Sequence, residues 1–340
     1  MTLSRSSVQS AALSAVSYYS SNTADSFLPA DGASENSSMI SSCQAPATCG
    51  ELMQGAIDEA DFLVNCPIAL YARATVFSAD NDGLTVRDAE QYSKVADAIA
   101  LLEVYEQNRP GSEVKSHCEN RRGSELVVTS NIPRGKGMAS SSADLAAALS
   151  AACKYQGLSI SPVELSRLIA IIEPSDSVHL PGIAHVNQLN GAVHACLPAP
   201  HDMSVIVVDC GGEIYTLEFD RDRAHGVYRT MRNKMVATLA LMTNSLRLGD
   251  AEGIALAATL SARISQEILP KAPFEELLES CVSEGALGVN CAHSGTVLGV
   301  LHRTSDGIGA TLMQSIRRRF GSDVSIIGDH RIVAGGCHAQ

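Results

Sequence analysis

The chain has 340 residues, 45% of them hydrophobic, and a formal net charge of −12. That length and apolar content suit one large or two ordinary globular domains. The acidity excludes the broad basic face that nucleic acid or an anionic membrane surface requires, and no apolar run reaches the roughly 20 residues needed to cross a bilayer. It does not exclude an anionic nucleotide, because backbone dipoles and a bound cation override the global field locally.

In chain order, residues 1–42 are rich in Ser and Ala and poor in charge, which reads as a disordered tail or an amphipathic arm. Residues 43–75 follow as two or three short strands, with Pro67 marking an edge or turn between them. Apolar spacing at Ile99, Leu102 and Tyr105 predicts a helix over 96–106. Polar residues 108–123 read as a surface loop, 125–129 as a strand, and the Ala- and Leu-rich 139–155 as a buried helix. Ser161-Pro162-Val163-Glu164 carries a cap, a proline at the first helical position and a glutamate three residues after the cap. The helix it starts ends at Glu173-Pro174.

Further on, 203–209 is a β-branched strand, and helices follow at 228–246, 250–266 and 274–284. Strands at 287–292 and 296–301, a helix at 308–320 and strands at 324–327 and 332–334 complete the pattern. Strands and helices mixed without strict alternation indicate an α+β protein. The proline cluster at Pro198-Ala199-Pro200 divides a tail at 1–42, a domain at 43–198 and a domain at 199–340.

The ten cysteines contain no C-x-x-C pair and mostly sit in apolar runs, as expected of reduced core residues in a cytoplasmic protein. The ten histidines show no H-x-x-x-H spacing, so a metal cluster is not expected.

The chemistry concentrates at Pro133-Arg134-Gly135-Lys136-Gly137-Met138-Ala139-Ser140-Ser141-Ser142-Ala143-Asp144, between a short strand and a long helix. Two glycines permit tight turning and close approach to a ligand, and small residues leave the first helical N–H groups open to an anion. The loop is not a Walker A motif, since its lysine lies between the glycines, and it is not a dinucleotide fingerprint, since Ser140 stands at the third glycine position. A plain strand–turn–helix junction with serine caps fits the same letters.

The loop resembles the second motif of the GHMP kinases, P-x-x-x-G-[LM]-[GA]-S-S-[ATS]-A. Ala45-Pro46-Ala47-Thr48-Cys49-Gly50-Glu51-Leu52-Met53-Gln54-Gly55 resembles their first motif, and the run from Gly288 through Ser294-Gly295-Thr296 to Gly299 their third. Together with Glu173-Pro174-Ser175-Asp176-Ser177 and Leu269-Pro270-Lys271-Ala272-Pro273-Phe274, these runs look like the L-threonine kinases of cobalamin biosynthesis over roughly 43–340.

The resemblance implies an N-terminal domain like ribosomal protein S5 domain 2, a ferredoxin-like C-terminal domain, and use of ATP and Mg²⁺. It implies that Pro133, Gly135, Lys136, Gly137, Met138, Ala139, Ser140, Ser141 and Ser142 cradle ATP, and that Glu173 with Ser141, or with Ser140, holds Mg²⁺. Asp176 is the counterpart of a catalytic aspartate, acting as base or only by positioning the hydroxyl, and Lys136 either faces the phosphates or points to solvent. Glu51, Gln54, Ser294, Gly295 and Thr296 are the expected substrate contacts, while His293 reads as a hydrogen-bonded core histidine. The implied acceptor is L-threonine. Homoserine, serine or another small alcohol, and a nucleotide-binding regulator without catalysis, are the alternatives. A homodimer is compatible with the family, and neither nucleic acid nor membrane is an expected partner.

Overall fold

In a computed structural model of the chain, the structure describes residues 38–108, 123–212 and 220–339. Most of the expected tail, and nearly all of the expected loop at 108–123, lie outside these residues.

The spine is a long hairpin, β1 (Met39–Ile57) and β2 (Ala60–Ser78), each of 19 residues. β1 starts four residues before the expected Cys43. The expected set of short strands is instead one continuous pair, and Pro67 lies inside β2. The register shows why a proline is tolerated there. Thr48 pairs with Pro67 and Glu51 with Asn65, so Cys49 and Gly50 bulge out opposite a single residue. A bulge interrupts the ladder where a proline cannot donate to it. Gly50 takes φ +53°, and a Cβ there would lie 2.5 Å from the Ala292 nitrogen.

Around this spine the sheet runs in the order β10-β7-β9-β8-β1-β2-β4-β3. The outer strands are β3 (Leu84–Val86), β4 (Ser124–Ser130), β7 (Ser204–Asp209), β8 (Gly288–Cys291), β9 (Val297–His302) and β10 (Ser325–Arg331). A hairpin of β5 (Ile183–Asn187) and β6 (Ala192–Leu197) joins β2, and β11 (His338–Ala339) joins β1. The expected strand at 332–334 is absent: Ile332 forms only an isolated bridge to Ile68, and Gly335 another to Gly182. The proline cluster at 198–200 falls in the turn between β6 and β7, and the sheet is continuous across it.

The helices are α1 (Ser93–Asn108), α2 (Ser140–Gln156), α3 (Pro162–Ile172), α4 (Arg221–Thr230), α5 (Arg232–Leu248), α6 (Ala251–Gln266), α7 (Phe274–Ser283) and α8 (Gly309–Phe320). α2 lies against β1 and β2, with Ala146, Ala147, Ala148, Ala151 and Ala152 fully buried. Their small side chains bring the helix axis close to the sheet. α3 begins with the expected reciprocal cap, Ser161 accepting from the Glu164 N–H and Glu164 from the Ser161 N–H. The single helix expected at 228–246 is two helices that meet at Met231, because α4 starts earlier, at the Asp220 cap. α6 packs on β1 and β8, so the hairpin's apolar face is covered by helices from both halves of the chain. A second core, built from β7, β8, β9, α7 and α8, centres on Phe274, Leu277, Leu312 and Ile316.

Candidate active site

The loop between β4 and α2 takes left-handed backbone at every second residue: Gly135 φ +70°, Gly137 φ +79° and Ala139 φ +57°. Such alternation turns successive N–H groups toward one side and forms an anion-binding concavity. Ala139 is the N-cap of α2 and no side chain caps that end, so its first N–H groups are left for a ligand.

The three sequence motifs meet at this loop. The Thr48 N–H donates to the Met138 carbonyl at 3.1 Å and the Gly50 N–H to the Gly137 carbonyl at 3.1 Å. The Thr296 and Val297 N–H groups converge on the Lys136 carbonyl at 3.0 and 3.2 Å. Gly295 lies so close that a Cβ on it would approach the Gly137 Cα to 2.4 Å, and a Cβ on Gly137 would come within 2.4 Å of the Ala292 Cβ. Glycine at both positions is a packing requirement.

Beneath the loop lies an acidic cluster. Glu51, carried inward by the β1 bulge, is buried, and its carboxylate accepts the His293 N–H at 2.6 Å. A hydrogen bond joins its carboxyl to that of Asp176. Burial raises the Glu51 pKa well above the ordinary range, and the Asp176 charge adds to it. Asp176 is raised to about 6 by burial and then by Glu173, while the bond from Glu51 acts the other way. Two carboxyls buried this close hold one proton between them in preference to two charges. Asp176 is positioned by its backbone: its carbonyl accepts from Asn65 at 3.0 Å and its N–H reaches the Ser142 hydroxyl at 3.4 Å. The Asn65 amide oxygen also takes the Ala184 N–H at 2.8 Å, which ties this loop to β2 and β5.

Glu173 ends α3 and forms an ion pair with Lys94 on α1. Asp144, on the first turns of α2, pairs with Arg134 at 3.2 Å, and Arg134 stands over the Tyr92 ring. Burial lifts the Asp144 carboxyl to about 6, against the Arg134 charge, and its Oδ1 has no hydrogen-bond partner. The Thr48 hydroxyl, the Tyr228 hydroxyl and the Asn290 Oδ1 are also buried without partners. Burial raises the Tyr228 phenol, with Cys291, Asp61 and Glu51 as its charged neighbours. Orphaned polar atoms around one carboxyl pair are what a polar substrate site looks like before the substrate satisfies it.

Two expected site residues make contacts within the scaffold. Lys136 directs its ammonium to Asp209, at 3.0 Å, and to the Gly212 carbonyl, at 2.5 Å, so it clasps the loop to the end of β7. Gln54 gives its amide to Ser265, at 2.6 Å, and to the Cys291 sulfur, joining β1 to α6. The Thr296 hydroxyl donates to Asp209 at 2.6 Å. His293 has its pKa lowered to about 4 by burial and by the Lys271 and Arg221 charges. Among the described residues no group of three His, Cys, Asp or Glu is arranged to hold a metal ion. A hydroxyl–carboxylate pair, completed by phosphate oxygens, is a different kind of cation site and does not need such a group. Sequence reasoning missed Asn65, Tyr92, Lys94, Asp144 and Tyr228, which carry no motif of their own. The only signal was the aspartate that closes the second motif.

The GHMP kinases N terminal domain family matches residues 98–182, the stretch that carries the cradle and the 173–177 loop. The L-threonine kinase of Citrobacter freundii is 32% identical over 264 residues, covering 76% of this chain and 85% of that protein. This chain belongs to the GHMP kinases. It is an ATP-dependent phosphotransferase that acts on an alcohol. The L-threonine kinase of Salmonella typhimurium is 30% identical over 268 residues, 77% of this chain and 83% of its own length. Among solved structures, the putative homoserine kinase of Listeria monocytogenes superposes with a TM-score of 0.63 at 17% identity, covering 88% of this chain and 99% of that one. That likeness shows the GHMP kinase fold. No helix among the described residues is long and apolar enough to cross a membrane.

Proposed function

We propose that this GHMP kinase phosphorylates L-threonine, giving O-phospho-L-threonine and ADP for the nucleotide-loop arm of cobalamin biosynthesis. The support is the 30–32% identity to two L-threonine kinases over three quarters of the chain. The observation that carries the chemistry is the Glu51–Asp176 carboxyl pair beside the uncapped end of α2.

In this reading the phosphate chain lies along Gly135–Ser142, where backbone N–H groups take its negative charge at no cost in reorganisation. Gly137 and Gly295 keep the wall thin enough for that approach. Ser141, or Ser140, together with Glu173 would hold Mg²⁺, and the unpartnered Asp144 Oδ1 supports a cation at this mouth. The ion supplies neutralisation of phosphate charge when bound. The threonine hydroxyl faces Asp176. Its oxygen attacks the γ-phosphorus as the bond to the β-phosphate oxygen breaks, the electron pair leaves with ADP, and the proton passes to Asp176. Glu51 and Tyr228 meet the substrate's polar groups, while Ser294, Gly295 and Thr296 form the turn that closes the site. Lys136 and Gln54 hold the walls together. The nine cysteines among the described residues are free thiols.

The test is product identification by ³¹P NMR after incubation with Mg-ATP and L-threonine. A phosphomonoester resonance that co-migrates with O-phospho-L-threonine is expected. Inorganic phosphate alone, or a phosphoester formed only from homoserine or another alcohol, overturns the acceptor assignment.

A further inference from the structure

The chemistry just proposed leaves one buried cation unused. Lys271, in the link between α6 and α7, is 7% exposed. Its ammonium donates one hydrogen bond, to the Ala292 carbonyl at 3.1 Å. No carboxylate among the described residues forms an ion pair with it, whereas Arg134, Lys136 and Lys94 around the same site are all paired. A buried ammonium with two N–H donors unspent is costly unless an anion arrives to complete it.

The surroundings favour such an anion. Lys271 lines a pocket of about 400 Å³ that also takes in Cys210, Pro273, Gly295 and Thr296. Two acidic residues, Glu276 and Asp323, also line it, and Glu276 is held by Arg319 at 2.9 Å. The wall formed by Gly295 and Thr296 is the turn that packs on the phosphate loop, so the pocket abuts that loop. Across that turn, Ala292 gives its carbonyl to Lys271 while the next residue, His293, gives its N–H to Glu51. Asp176, Glu51 and Lys271 thus lie in succession: two paired carboxyls, the Ala292–His293 peptide unit, an ammonium. A β-hydroxy α-amino acid presents hydroxyl, ammonium and carboxylate in the same succession. Arg221 is the other cation that faces His293, but it is exposed on the first turn of α4, where solvent weakens it.

We infer that Lys271 is the specificity-determining residue that binds the α-carboxylate of the acceptor. This rests on the reading of the site as an amino-acid kinase and extends it: the enzyme selects amino acids over amino alcohols through one buried ammonium. A site built around a buried ion rejects a ligand that leaves the ion unpaired far more strongly than an apolar pocket rejects a missing methylene.

The experiment compares L-threonine with 1-aminopropan-2-ol, the same molecule without its carboxylate, in the wild type and in Lys271→Met and Lys271→Arg. Wild type should prefer L-threonine strongly. Lys271→Met should raise KM for L-threonine on the order of 30-fold, the usual consequence of losing a charged hydrogen bond. It should leave KM for 1-aminopropan-2-ol and for ATP unchanged and abolish the preference, and Lys271→Arg should restore part of it. A merely structural role, pinning Ala292, would raise both acceptor KM values alike and lower the melting temperature. That result overturns the inference. So does a rise in the KM for ATP alone, which would assign the ammonium to a phosphate. Should wild type act on another carboxylate-bearing alcohol and not on threonine, the acceptor assignment fails while Lys271 is tested with that substrate and its decarboxylated counterpart. Equal use of carboxylated and decarboxylated acceptors by wild type overturns the inference outright.

Discussion

The phosphate loop and the acidic pair beneath it are built on opposite principles. The loop is satisfied. Its carbonyls at 136, 137 and 138 are taken by N–H groups from the first and third motifs, its lysine by Asp209, and its N–H groups are turned outward by three left-handed residues. Fixed backbone dipoles can receive a nucleotide without moving. The pair is unsatisfied. Glu51 and Asp176 are forced together away from water and share a proton, and the hydroxyls of Thr48 and Tyr228 have no partners. In the proposed reading the loop is the nucleotide side, fixed in shape, and the pair is the acceptor side, whose electrostatic demand a polar substrate meets. Rigid positioning and a perturbed carboxylate are both needed for phosphoryl transfer at neutral pH.

Removing the base should break this contrast most visibly. Asp176→Asn should lower kcat about 10²–10⁴-fold with little change in the KM for ATP, as expected for a group that accepts a proton in the transition state. Turnover within a few fold of wild type would leave Asp176 a positioning role only. Ser141→Ala and Glu173→Gln address the cation instead. Each should reduce turnover at least tenfold, with partial recovery at high Mg²⁺. Near-normal rates in both would remove those residues as ligands.

Next in size is the packing of the loop. Gly137→Ala should cost roughly 1–3 kcal/mol by overpacking against Ala292, seen as a lowered melting temperature and a raised KM for ATP. An unchanged melting temperature would mean that the three motifs are not pressed together as described.

The pH dependence sharpens the same contrast. The proposed mechanism needs Asp176 ionised, so kcat/KM should fall tenfold per unit as pH drops below about 6. Because Glu173 helps to raise Asp176, Glu173→Gln should move that acidic limb to lower pH, whatever its effect on the maximum. The smallest effect belongs to Asp144. Its carboxyl, raised to about 6 in the fold, binds more protons folded than unfolded between about pH 4 and 6, so stability is lost as pH rises through that window. Asp144→Asn should therefore stabilise the protein at pH 8, by up to about 2 kcal/mol, and the gain should fade toward pH 4. A constant difference across that range would contradict the shift.

The two regions also differed in how far the sequence revealed them. The loop was legible because its requirements are local: glycines for backbone that other residues rarely adopt, small residues for an open helix end, and a spacing that matches a known motif. The α3 cap and the α6 start at Asp250 were legible for the same reason. The acidic pair was not, since Glu51 meets Asp176 only after a bulge rotates one strand and Asn65, on the neighbouring strand, grips the 173–177 loop. Pro67 misled for a related reason: a proline normally ends a strand, and only the bulge opposite makes it admissible within one. Lys136 and Gln54 were assigned by motif, but Asp209 and Ser265, distant in sequence, claim their side chains.

The most direct test is ADP release from Mg-ATP by wild type and Asp176→Asn against a panel of L-threonine, L-serine, L-homoserine and simple alcohols. The account predicts turnover selective for L-threonine that collapses in the variant. Equal turnover across the panel, or turnover that survives in the variant, would contradict it; ATP binding with no turnover of any acceptor would point instead to a regulator.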